Sequence, residues 1–236
     1  MKGKIERIFV LGGLLVIIYV IFFSLFRYGL GISSQNIFQG IEFPEIKGNG
    51  SVNFLELSQW IWIYFFYWVV AGYYINVRFR TRSLTIFRYH SKWSWFWHLL
   101  CGLFFLQCIY MVIIGAGVYK SHLSYGWLSV ILLSIHSFLG VSIILLLKIL
   151  SGSSVVSLLS MLLLEFFSFV IGEEAGFNVN IVPAFWGMSV RSDIADTGNG
   201  YNSGLVIVVQ LLMIFLILGF GNHLQKHFEE RGKMNE

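Results

Sequence analysis

The chain has 236 residues, of which 57% are hydrophobic and only 12% charged, with a formal net charge of +4. Soluble domains run near roughly 45–50% apolar and about 25% charged, so this chain could not cover a water-facing surface, and lipid is the solvent that removes the need. Two prolines in the whole chain exclude a disordered or loop-dominated protein.

Six apolar runs follow one another: Ile8–Phe26, Leu57–Val77, Trp95–Val118, Tyr125–Leu147, Ser153–Ile171 and Gly204–Gly221. A helix of about 20 residues crosses a hydrocarbon core of about 30 Å, so each run predicts one transmembrane helix. The first has no small-residue cleavage site after it and reads as a retained anchor. An outer segment, Arg27–Glu56, then leads to the second run.

Between runs two and three lies Arg78–Lys92, reading RFRTRSLTIFRYHSK. Leu84, Phe87 and Arg88 fall at helical spacing, which predicts a short amphipathic helix. Two readings stay open for it: an anchor on anionic lipid, and a docking helix for a cytoplasmic partner. Trp93, Trp95 and Trp97 mark the membrane interface where the third run begins. Cys101 and Cys108 lie two turns apart on that run, about 10 Å of rise, too far for a mutual disulfide. They read as small buried hydrophobes.

His98 falls near the inner face and His136 near mid-bilayer, so the two read as helix-packing residues rather than a pair of haem ligands. Glu165 is a carboxylate in the middle of an apolar run, where an ionised side chain costs at least about 2.5–3.5 kcal/mol. It predicts an intramembrane polar site: either a substrate or proton site, or a helix–helix hydrogen bond to Gln107, His136 or Ser168. Gly172–Ser203 follows, an outer segment of about 30 residues with a semi-apolar stretch, Phe177–Val190, suited to lie on the membrane or dip into it.

Basic residues set the orientation. Lys2, Lys4, Arg7, Arg78, Arg80, Arg82, Arg88, Lys92, Lys148, Lys226, Arg231 and Lys233 fall on the side of both termini, and Arg27, Lys47, Lys120 and Arg191 on the other. That bias predicts cytoplasmic termini. The whole chain, 1–236, reads as a single membrane domain. It carries no G-x-x-x-x-G-K-[ST], no H-E-x-x-H, no G-x-S-x-G and no Cys/His metal spacing. The expectation is therefore no catalytic residue, no metal site, no nucleic-acid partner and no enzyme activity of the chain's own.

The order of features resembles the permease subunits of ABC-2 type ABC transporters. A short segment, Met1–Arg7, precedes six runs, the basic Arg78–Lys92 joins runs two and three, and Gly172–Ser203 joins runs five and six. Arg88-Tyr89-His90-Ser91-Lys92-Trp93 and Pro183-Ala184-Phe185-Trp186-Gly187-Met188, with Arg191-Ser192, are similar to segments of the small permeases of bacteriocin or antimicrobial-peptide export and immunity systems. The resemblance implies an all-α, type V exporter-like fold with a coupling helix between helices two and three and a partly re-entrant outer segment between five and six. Arg82, Ser83, Leu84, Thr85, Ile86, Phe87, Arg88 and Tyr89 would be the coupling helix that docks a separate ATP-binding subunit, which would hold ATP and Mg. A second permease, identical or different, and a bacterial cell membrane are also implied, with an amphipathic peptide or lipid-like substrate. The competing expectations are a membrane immunity protein that binds a toxin without pumping, and an intramembrane protease. For the protease, Glu173–Glu174 is similar to the paired glutamates of CAAX-type enzymes, but no arginine follows within a few residues, and the pair reads as an exposed acidic loop.

Overall fold

A computed structural model describes residues 2–29, 37–41, 54–82, 92–123, 126–174, 180–195 and 200–233. Six long helices account for most of these: α1 (Lys2–Gly29), α2 (Phe54–Arg80), α3 (Lys92–Ser121), α4 (Gly126–Ser151), α5 (Ser154–Glu174) and α6 (Ser203–Lys233). No β-strand occurs among the described residues beyond an isolated bridge between Ser192 and Tyr201. Five of the helices, α2 to α6, are long and apolar enough to cross a membrane, and the described apolar part of α1 is Ile8–Ser24. Their outward faces carry large exposed hydrophobics such as Val112, Leu159, Leu205 and Phe215, which is the surface of a helical multi-pass membrane protein.

The helices extend past the apolar runs at most ends. Hydropathy reports the thickness of hydrocarbon, whereas a helix continues into the polar zone until a cap stops it. At α4 the stop is Gly152, at φ +70°, whose N–H donates to the Lys148 carbonyl at 3.0 Å. Ser153 then caps α5 by accepting the Val156 N–H at 3.4 Å, and Asn202 caps α6 by accepting the Leu205 N–H at 2.9 Å.

α4 is the central helix. Its apolar window is 72% buried, against 28% for α5 and 22% for α6, and it packs on α2, α3, α5 and α6. α4 and α2 approach closely at Gly140. A Cβ there would stand 2.4 Å from Cζ2 of Trp68, whose indole Nε1 donates to the Ser137 carbonyl at 3.0 Å. α1 packs on α2 and α3, and Tyr19, Tyr67 and Tyr110 fill the space between these helices. Tyr67 and Tyr110 stack with ring centres 4.7 Å apart.

The end of the bundle where α5 stops and α6 starts is closed by a cap. It comprises three single 3₁₀ turns, Pro183–Phe185, Ser189–Arg191 and Asp193–Ala195, together with residues 37–41. Pro183, lacking an N–H, starts the first turn, where that donor would have no partner. The Val190 N–H donates to the Gln39 carbonyl at 3.0 Å, tying the two pieces together. Gly40, at φ +94°, lets the chain pass Met188, whose Cγ would lie 2.4 Å from any Cβ at that position.

Candidate functional site

Glu165 lies nine residues before the end of α5, about 13 Å down the helix. His136 on α4 and Tyr64 on α2 each lie ten residues in from the same end of the bundle, about 15 Å down. Antiparallel packing thus brings three polar side chains to one level. Oε1 of Glu165 accepts the Tyr64 hydroxyl at 3.0 Å and lies 3.0 Å from Nε2 of His136. All three residues are buried, with Tyr64 at 0%, His136 at 2% and Glu165 at 1% exposure. No lysine or arginine pairs with Glu165 among the described residues. Nδ1 of His136 is buried with no hydrogen-bond partner there.

Of the partners expected for Glu165, the structure supplies His136 and adds Tyr64. Gln107 is elsewhere engaged: its Nε2 donates to the Ser134 carbonyl at 2.9 Å and joins α3 to α4. The Ser168 hydroxyl accepts the Ala184 N–H at 3.4 Å, so it serves the cap. Tyr64 escapes a sequence reading because a phenol inside the run Trp60–Val70 looks like one more aromatic. Its partner is 101 residues away.

The cap rests directly on this centre. Gly187 meets the His136 ring so closely that a Cβ would stand 3.1 Å from its Cγ, and Trp60 lies at 3.0 Å on the other side. Phe185 meets Phe169 of α5 edge to face with ring centres 5.5 Å apart. The Ser129 and Ser189 hydroxyls are 2.6 Å apart, fixing the second turn to α4. Tyr201 donates its hydroxyl to the Met188 carbonyl at 3.0 Å. Burial pushes the Tyr201 phenol up, with Asp193 adding to the shift and Arg191 opposing it, so the group stays a donor.

A buried ion pair locks the cap. Arg191 is 0% exposed, its Nη1 donates to Glu173 at the end of α5, and its Nε donates to the Ile41 carbonyl at 2.6 Å. The guanidinium also sits 4.3 Å from the Phe185 ring centre and 5.3 Å from that of Phe169. Burial pushes Arg191 below the ordinary arginine value, and the Glu173 carboxylate counters part of that. This corrects the expectation of an exposed acidic loop, since the Glu173 side chain is only 7% exposed. Arg191 reaches Glu173 from 18 residues further on because the cap folds back over α5.

Arg82 lies two residues past the end of α2, with its guanidinium 4.9 Å from the Trp95 ring centre. Burial pushes it below the ordinary arginine value. The rest of the expected coupling helix, Ser83, Leu84, Thr85, Ile86, Phe87, Arg88 and Tyr89, lies outside the described residues. Cys101 and Cys108 are free thiols exposed on the outer face of α3, not buried ones. In a bilayer, lipid would supply the apolar surroundings that a packed core does elsewhere. His98 is also exposed on α3. Among the described residues no group of three or more His, Cys, Asp or Glu side chains converges to hold a metal.

Comparison of the chain with protein-family models, with curated proteins and with solved structures finds no match.

Proposed function

We propose that this chain is the membrane permease subunit of an ABC transporter, moving an amphipathic peptide or lipid-like substrate with ATP hydrolysed by a separate subunit. The observation that carries the reading is the segment between α5 and α6. It folds back into the end of the bundle in short turns and rests on His136, which suits the partly re-entrant outer segment of ABC-2 type permeases. The six-helix order and the basic stretch between α2 and α3 support it as well.

In this reading the bilayer is spanned six times, with α1 as the first span and both termini in the cytoplasm of a bacterial cell. The segment 82–89, the expected coupling helix, would dock the ATPase: Leu84, Ile86 and Phe87 would fill an apolar groove, and Arg82 and Arg88 would meet acidic residues at its rim. Closure of the ATPase dimer would then move α2 and α3, which this segment joins in sequence. A second permease, of the same or a different sequence, completes the pathway. Replacing Leu84 and Phe87 together by Asp tests the assignment. The double variant is expected to insert in the membrane and lose the ATPase. Retention of a stoichiometric ATPase by that variant would refute the docking assignment. A chain that confers protection against a toxin with no ATPase present would instead be a toxin-binding immunity protein.

A further inference from the structure

We propose that Glu165, His136 and Tyr64 form a proton-binding site, in which one exchangeable proton is held by the carboxyl–imidazole pair beneath the cap and its occupancy sets how the cap is seated.

The geometry defines two states that differ by one proton. In the first, the Glu165 carboxylate accepts from Tyr64 O–H and from His136 Nε2–H, and Nδ1 carries only its lone pair. This state places a net negative charge in a buried site that no lysine or arginine contacts among the described residues. In the second, the pair carries one more proton and is neutral overall, whether written as imidazolium with carboxylate or as neutral imidazole with carboxylic acid. As imidazolium, or with the acid O–H donating to Nε2, Nδ1 carries an N–H that has no acceptor among the described residues, and with the proton on the other carboxyl oxygen its lone pair stays unpaired. Each state thus leaves one cost unmet: an uncompensated charge, or a polar atom without a partner.

Among the described residues no other charged side chain pairs with Glu165 or His136. The ionisable neighbours are phenols: Tyr67 on α2, Tyr110 on α3 and Tyr19 on α1. α6 contributes the uncharged Gln210, which donates to the Trp186 carbonyl at 3.4 Å. Arg191 is committed to Glu173 at the outer end. Coupling to the cap follows from Gly187, whose backbone lies against the imidazole ring. The segment covers the Cγ–Cδ2 edge of the ring, so a change in the protonation of the imidazole bears directly on the seating of Gly187. The proton comes from solvent and returns to it, with no bond to another group made or broken.

The test uses the full chain in lipid nanodiscs and needs no ATPase, so its outcome is independent of the transporter reading. Infrared difference spectra are recorded from about pH 5 to about pH 9, a range bounded by ordinary carboxylate and lysine behaviour. A titrating carboxyl or imidazole band is expected in the wild type and should vanish in both Glu165→Gln and His136→Gln. Tyr64→Phe keeps the shape of the site and is expected to displace the midpoint by about one pH unit. Labelling of a thiol placed by Ser189→Cys should follow the same midpoint. If no band is lost in common by the two variants, the proposal is overturned. Should either variant fail to insert, Tyr64→Phe decides, because an unmoved midpoint overturns the proposal and a displaced one supports it.

Discussion

Glu173→Gln should loosen the cap without unfolding the bundle. The substitution keeps the size of the side chain and removes the charge opposite Arg191, a guanidinium with 0% exposure. Breaking one side of a buried pair costs about 3–5 kcal/mol, because the remaining charge stays buried without its partner. Arg191 retains the Ile41 carbonyl and the Phe185 ring, which places the cost near the lower end, about 3 kcal/mol. At about 1.4 kcal/mol per factor of ten, the open cap becomes roughly a hundredfold more populated. The assay is labelling of the thiol of Ser189→Cys, a position 2% exposed, by a membrane-impermeant maleimide, with Cys101 and Cys108 changed to Ser. Where opening is fast relative to labelling, the rate follows the open population. Glu173→Leu combined with Arg191→Met removes both charges and retains apolar volume, so its labelling should return to within about tenfold of wild type. Wild-type labelling in E173Q, or equally fast labelling in E173Q and the paired variant, would refute the reasoning. The linkage agrees in sign. Burial lowers the folded value of Arg191, so its charge opposes folding throughout the neutral range and is relieved only as pH rises past that lowered value.

Three further outcomes are expected. Gly140→Val should lower the melting temperature in detergent by an amount equivalent to about 1–3 kcal/mol, because its Cβ would meet Trp68 at 2.4 Å. Gly115→Ala, with nothing within 4 Å, serves as the control and should be unchanged. Gly40→Ala combines a left-handed φ with the Met188 contact and should raise Ser189→Cys labelling while leaving the melting of the bundle unchanged. Tyr201→Phe removes the hydroxyl given to the Met188 carbonyl and should cost about 1 kcal/mol in the same labelling assay. That cost should be independent of pH through the neutral range, since burial keeps the phenol protonated.

The helices were legible in the sequence because lipid demands unbroken apolar runs, and all six runs fall on helices. Their ends were not, since caps such as Gly152 and Asn202 lie beyond the hydrophobic signal. Glu165 declared itself as a carboxylate out of place, and His136 was among its expected partners. Tyr64 did not, because a tyrosine in an aromatic run gives no sign of which hydroxyl is needed. The Arg191–Glu173 pair was missed for a different reason. Charges in a segment between membrane helices are ordinarily solvated, and the fold of the cap over α5 buries these two. The apolar neighbours of Arg191, Met188 and Val190, were the available signal that this part of the segment is packed. The exposure of Cys101 and Cys108 depends on which face of α3 meets α1, α2 and α4, which an almost uniformly apolar helix does not reveal.

The central claim, that the chain works as the permease of an ABC transporter, is tested most directly by what accompanies it. The C-terminally tagged chain would be extracted from its own host in several mild detergents, and the purified material identified by mass spectrometry. The account predicts a stoichiometric P-loop ATPase, with a second six-helix permease or a second copy of this chain. A chain that emerges alone and intact from every detergent, and stimulates no ATPase when added back, would contradict it.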